Sequence, residues 1–327
     1  MKIRNEADEL RRRIAELEAE CISLRHENSQ LRKNSPEVKS APANEPQNQN
    51  RGSDNDGINI IVTQSSTTQE KIQLFRSLFQ GRQDVFPIRW VNKKGRAGYS
   101  PACANKWDRQ FCNKPRIKCL ECPNRELLPL TDTVIHNHLT GGKTIGVYPL
   151  LENESCHFVA ADFDKKDWQK DVISFLETCD EMGIHAALER SRSGNGAHVW
   201  IFFDEALPAS VARKLAAAIL TIAMQRRPEI GFESYDRLFP NQDTMPKGGF
   251  GNLIALPLQG EPRKTGNALF INRTLQPLPD QWQYLSGISR NIRENVDRII
   301  REVEHQGDVT GINRGIALFG VRQRLSQ

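Results

Sequence analysis

No apolar stretch in the 327 residues approaches the roughly eighteen needed to cross a bilayer, which excludes a helical membrane protein. The opening residues are charged where a secretory signal would be apolar, so the expected compartment is the cytoplasm. The string Gly-x4-Gly-Lys-Ser/Thr is absent, which excludes a P-loop motor within these residues. No internal repeat is found. Positive charge exceeds negative by only five, an imbalance that permits nucleic-acid binding without demanding it. Cysteine is scarce, seven in all, yet four of the seven fall between Cys103 and Cys122. The 38% hydrophobic content is ample for a core once the polar segments are set aside.

The chain divides by composition. Over 1–33, Ile3, Leu10, Leu17, Leu24 and Leu31 recur every seven residues, with Ala7, Ile14, Cys21 and Asn28 in the intervening core positions. This heptad seam predicts a coiled-coil helix and self-association, and Asn28 favours a two-stranded parallel coil. Residues 34–66, rich in Pro, Asn, Ser, Gln and Gly, have the profile of a disordered linker. An amphipathic helix carrying Ile72, Leu74, Phe75, Leu78 and Phe79 opens the globular part, whose first portion spans 67–135. A core follows over 136–288, and a C-terminal helix and tail occupy 289–327.

Within that core, the apolar run from Cys156 ends in Asp162-Phe163-Asp164. Residues two apart on a strand share a face, so both carboxylates project together while Phe163 turns inward. A helix is expected from Trp168 to Met182, stopped by Gly183. His185–Arg190 and Ala197–Phe203 read as a hairpin around Ser193-Gly194-Asn195-Gly196. A second helix opens at Pro208, and Asn252–Leu256 supplies the last strand. The order is β-α-β-β-α-β, in which the first and third strands are neighbours and His198 falls beside the aspartates. Carboxylates suit a hard divalent cation, and the glycine loop offers N–H groups and the Ser193 hydroxyl to phosphate oxygens. Asp164 could instead cap the following helix, and the loop could be an ordinary turn.

Gly196-Ala197-His198 and Tyr235-Asp236, following the D-x-D pair, form an ordered set that resembles the archaeo-eukaryotic primase superfamily, with its small-x-His and hydrophobic-Asp motifs. The strings His138-Leu139-Thr140-Gly141, Gly146–Leu151, Phe239–Asp243 and Phe250–Ile254 are similar to the primase-polymerase module of bacterial TOTE conflict systems, over roughly residues 67 to 290. The resemblance implies an α+β protein: an RRM-like catalytic core with N-terminal α/β and zinc-knuckle elements, preceded by the coil. It further implies a DNA-directed primase-polymerase that joins an NTP or dNTP to a 3′-hydroxyl on a single-stranded DNA template, in defence against mobile DNA. Asp162, Asp164 and Asp236 would hold two Mg²⁺ or Mn²⁺ ions, with Asp243 the stand-in for Asp236. His198, Ser193, Gly194, Gly196, Arg190 and Arg192 would meet the nucleotide; Asn195 stands where related domains often carry Lys. Any helicase or nuclease would be a separate partner. A metal-dependent nuclease and a non-catalytic nucleic-acid-binding adaptor are the competing readings.

The spacing Cys103-x8-Cys112-x6-Cys119-x2-Cys122 reads as a structural Zn²⁺ site, in which His136 or His138 could replace one thiol. The surrounding Lys and Arg, with Trp90, Tyr99 and Trp107, are candidate template contacts. Cys156 and Cys179 fall in apolar patterns and read as core.

Overall fold

The computed structural model describes residues 61–226 and 233–305. The coil expected over 1–33, the linker as far as residue 60 and the tail beyond 305 lie outside the described residues. The chain order is α1 (Thr68–Leu78), β1 (Pro87–Val91), β2 (Ala97–Pro101), α2 (Asp132–Thr140), β3 (Gly146–Val147), β4 (Ser155–Asp164), α3 (Trp168–Glu181), β5 (Ala187–Arg190) and β6 (Gly196–Pro208). It continues with α4 (Ala209–Arg226), β7 (Tyr235–Phe239), β8 (Ile254–Ala255), β9 (Leu269–Phe270), α5 (Gln281–Ser286) and α6 (Arg293–His305).

Local sequence accounts for the helices that frame the site. Thr67 caps α1 reciprocally with Glu70, satisfying two backbone donors of the first turn. Helix α3 buries Trp168, Val172, Phe175, Leu176 and Cys179 on one face. Gly183, at φ +70°, follows its C-terminus in the left-handed region where a side chain is disfavoured.

Five strands form the main sheet in the order β7-β4-β6-β5-β9, with every neighbouring pair antiparallel. One face carries Val159, Ala161, Phe163, Val199, Ile201 and Phe203 against α3, α4 and α6. On the opposite face, Phe158, Ala160, Trp200 and Phe202 pack against Phe75 of α1, Phe79 at its C-cap and Trp282 of α5. Because both faces are covered here, Phe158–Ala161 are buried without interruption, and the run shows no polar alternation until Asp162. The N-terminal portion therefore shares a core with the central sheet: Phe79 meets Trp200 edge-on at 5.0 Å between ring centroids.

Three expectations are corrected. The fourth strand of the β-α-β-β-α-β succession is Tyr235–Phe239, whereas Ile254–Ala255 pairs with β3 in a separate two-stranded sheet. Packing begins inside the expected linker: Val62 is buried and donates to Ser286 Oγ, and the Gln64 amide donates to Asp280 Oδ2. His138 is no metal ligand, because it is buried with Nε2 on the Pro257 carbonyl and Nδ1 accepting the Ile145 amide, and burial pushes it down to about 4.

Candidate active site

Strand register assembles the site as a row across the sheet. Arg237 of β7 pairs with Asp162 of β4, Asp162 with His198 of β6, and His198 with Glu189 of β5. Paired residues in antiparallel strands project to the same face, so four polar side chains stand in line. That face is the one carrying Phe158 and Trp200, beyond the apolar packing. His198 Nε2 lies 3.6 Å from Asp162 Oδ1, and its Nδ1 lies 2.9 Å from Glu189 Oε2. Gly196 pairs with Asp164, placing the glycine loop beside the second aspartate.

Asp236 reaches this face through a fault in the register. Asp162 pairs with Arg237, but Phe163 pairs with Tyr235, leaving Asp236 as the extra residue of a β-bulge. Without the bulge, Asp236 would oppose Phe163 and follow it toward the core; with it, Tyr235 takes that place and packs edge-on against Phe163 at 6.1 Å. The strand is held there by α3, whose buried Asp171 accepts from the Ser234 amide and hydroxyl, while Ser234 O accepts from the Asp164 amide at 2.7 Å. Asp243 has another partner: it forms an ion pair with Arg213 of α4, a largely buried guanidinium. Asp164 does not cap the next helix. Asp167 occupies the N-cap position of α3, and Asp164 Oδ1 is buried with no hydrogen-bond partner among the described residues.

The charges are mutually perturbed. Burial lifts Asp162 above the usual carboxylate range, and Asp236 and Asp164 lift it further against the pull of His198. Burial alone would lower His198, but the charge and hydrogen bond of Glu189, with the charge of Asp162, outweigh it and hold the imidazole above its ordinary value. Arg237 donates to Asp236 Oδ2 at 2.6 Å, and that bond, with the charges of Asp236, Asp162 and Asp164, raises the guanidinium despite its partial burial.

Among the described residues, no three His, Cys, Asp or Glu side chains are gathered closely enough to hold a metal ion as they stand. The donor set nevertheless suits a hard divalent cation. It is all oxygen, one of its oxygens is buried without a hydrogen bond and has Lys165 Nζ 3.9 Å away, and the Arg237 guanidinium stands where a cation's positive charge would offset the three aspartates.

The nucleotide-binding candidates divide. Arg190 donates to the carbonyls of Gly266 and Leu275, fastening the end of β5 to later loops. Arg192 has an Nε that is buried without a partner among the described residues, and burial and then Arg89 lower its affinity for the proton. The amides of Gly194 and Asn195 are spent inside the turn, on Ser191 O and Ser193 Oγ. Gly194 is needed for its φ of +80°, and Gly196 because a Cβ there would meet Phe163 O at 2.5 Å. Glu189 and Arg237 were missed by motif reading. The signal for Glu189 was an acidic residue inside an apolar strand, whose facing became legible only with the hairpin register.

The four clustered cysteines are unpaired and line a single cavity of about 20 Å³. The Glu126 amide donates to Cys103 Sγ at 3.4 Å, and amides of Lys114 and Trp107 hold the Cys112 thiol below its usual range. Their present placement does not by itself make a metal site. Beside them Trp107 is 66% exposed at φ +67°, with Lys114 Nζ 5.7 Å from its ring centroid.

An antiparallel sheet of mixed α/β surroundings, carrying three aspartates, a glutamate and a histidine on one face, defines the class of this protein. A model of the TOTE conflict system archaeo-eukaryotic primase domain matches residues 70–299, and the chain belongs to that family. Among solved structures, the polymerase domain from Mycobacterium tuberculosis ligase D in complex with DNA is similar at 12% identity and a TM-score of 0.36, over 74% of this chain and 90% of that one. No curated protein matches. No helix among the described residues is long and apolar enough to cross a membrane.

Proposed function

We propose that this chain is a DNA-directed primase-polymerase, joining a nucleoside triphosphate to a 3′-hydroxyl on a single-stranded template within a mobile-element conflict system. The observation that supports the reading is strand register that puts Asp162, Asp164 and bulged Asp236 on the His198 face of the sheet, in a chain belonging to a primase family. Mg²⁺ or Mn²⁺ held by the three carboxylates would supply Lewis acidity toward the attacking hydroxyl and the leaving pyrophosphate. His198 donates to a phosphate oxygen from the wall of the site. Ser193 Oγ, at the loop tip, adds a donor. Arg192, with Arg89 opposing it, supplies positive charge that a phosphate would offset. Gly194 and Gly196 shape the loop by letting the backbone take its turn and approach β4 closely.

Template contact falls to the β1–β2 hairpin and the cysteine segment. Trp90 and Trp107 are exposed, and six Lys and Arg against two carboxylates occur between Cys103 and Arg125. Exposed aromatics interleaved with cations suit the stacked bases and phosphates of a single strand. Cys103, Cys112, Cys119 and Cys122 are assigned a structural Zn²⁺, on the ground that all four line one cavity into which backbone donors already point. The 1–33 arm is assigned self-association on its heptads alone.

Labelled primer-template incubated with Mn²⁺ or Mg²⁺ and each nucleotide set tests the reading. Primer extension that Asp162→Ala/Asp164→Ala abolishes is expected. Shortening of the primer would favour a nuclease, and template binding without incorporation would favour an adaptor.

A further inference from the structure

Glu189 is 1% exposed, in the interior of a sheet, and no Lys or Arg among the described residues pairs with it. A buried carboxylate is costly unless its bonds compensate. Its bonds are two, and both fall on one oxygen: Oε2 accepts from Trp200 Nε1 at 2.9 Å and meets His198 Nδ1 at 2.9 Å. An indole N–H can only donate, so Oε2 accepts from Trp200, and an ionised carboxylate, having no proton to give, accepts from Nδ1–H of His198 as well. Nε2 is then the nitrogen facing Asp162, at 3.6 Å, and it donates to a phosphate when both ring nitrogens carry protons. Trp200 stands against the imidazole at 85° with ring centroids 6.1 Å apart, so the same carboxylate orients both rings.

We propose that Glu189 is a positioning residue of the nucleotide site: by accepting from His198 Nδ1 and Trp200 Nε1 it locks the imidazole so that Nε2 alone is presented to the incoming triphosphate. The inference rests on the polymerase reading for its ligand. It goes beyond that reading in assigning a task to a residue that touches neither substrate nor metal. A purely structural Glu189 would need only to satisfy the Trp200 indole, and its loss would affect folding and template binding as much as nucleotide use.

The test compares Glu189→Gln with Glu189→Leu in the full chain. The Gln carbonyl can accept from both rings, so the nucleotide KM of Glu189→Gln stays within roughly threefold of wild type, while losing one oriented donor raises the KM of Glu189→Leu about tenfold. Template affinity is unchanged in both. Imidazole ¹⁵N spectra, with His198 assigned by its loss in His198→Gln, show a protonated Nδ1 in wild type and Glu189→Gln. In Glu189→Leu the ring is released and the signal changes. Equal damage by both substitutions, an unchanged KM in Glu189→Leu, or a wild-type His198 protonated only at Nε2 would overturn the proposal. The last holds even if Glu189→Leu fails to fold. A wild-type protein that incorporates no nucleotide under either metal would instead defeat the polymerase reading, while the ¹⁵N spectra still judge the Glu189–His198 bond.

Discussion

Gly196→Ala is the perturbation whose consequence follows most directly from the geometry. The new Cβ would lie 2.5 Å from Phe163 O and 3.1 Å from Asp164 Cα, both backbone atoms of β4. Carbon and carbonyl oxygen rest at about 3.3 Å, so β4 and β6 must part by about 0.8 Å at the level of the aspartates. Overpacking of this kind costs about 1–3 kcal/mol, which lowers the urea midpoint by about 1 M with the slope unchanged. The larger effect is on chemistry, because Asp164 is displaced from Asp162 and His198. A misplacement approaching 1 Å costs on the order of 10²-fold in rate. Gly183→Ala is the control: its φ of +70° makes a side chain unfavourable, but nothing lies within 4 Å of the added carbon. It should lose about 1 kcal/mol and keep its turnover. Urea unfolding and metal-dependent primer extension on both variants separate the two effects. A Gly196→Ala protein that is active in proportion to its stability, as the control is, would refute the reasoning.

Three further outcomes are expected. The fold favours protonated Asp162, so the stability that group lends is full below the ordinary carboxylate pKa of about 3.9 and is lost as pH rises through the raised value. Asp162→Asn should therefore be more stable than wild type at neutral pH without divalent ions, by about 1 kcal/mol, and inactive; thermal melts with and without Mn²⁺ check this, since only wild type should gain from the ion. Asp243→Ala should retain primer extension while losing about 1 kcal/mol, because it leaves Arg213 without its carboxylate, and abolished activity with normal stability would restore Asp243 as a metal ligand. Trp107→Ala should weaken single-stranded DNA binding by about 1–2 kcal/mol in fluorescence anisotropy, with the nucleotide KM unchanged.

What the sequence by itself determined was set by local periodicity. Alternation put Asp162 and Asp164 on one face and Phe163 on the other, the 3.6-residue rhythm marked Trp168–Met182 as a helix, and the ordered motifs pointed to the primase family. What only the tertiary structure decided was register between segments distant in the chain. The bulge at Asp236 depends on how β7 meets β4, and the partners of Arg190, Asp243 and His138 come from elements packed against them from elsewhere. Glu189 became part of the site only when β5 was laid beside β6. A two-residue period is written in each strand, but a one-residue slip between strands reverses every facing, and that choice is made by packing across the whole sheet.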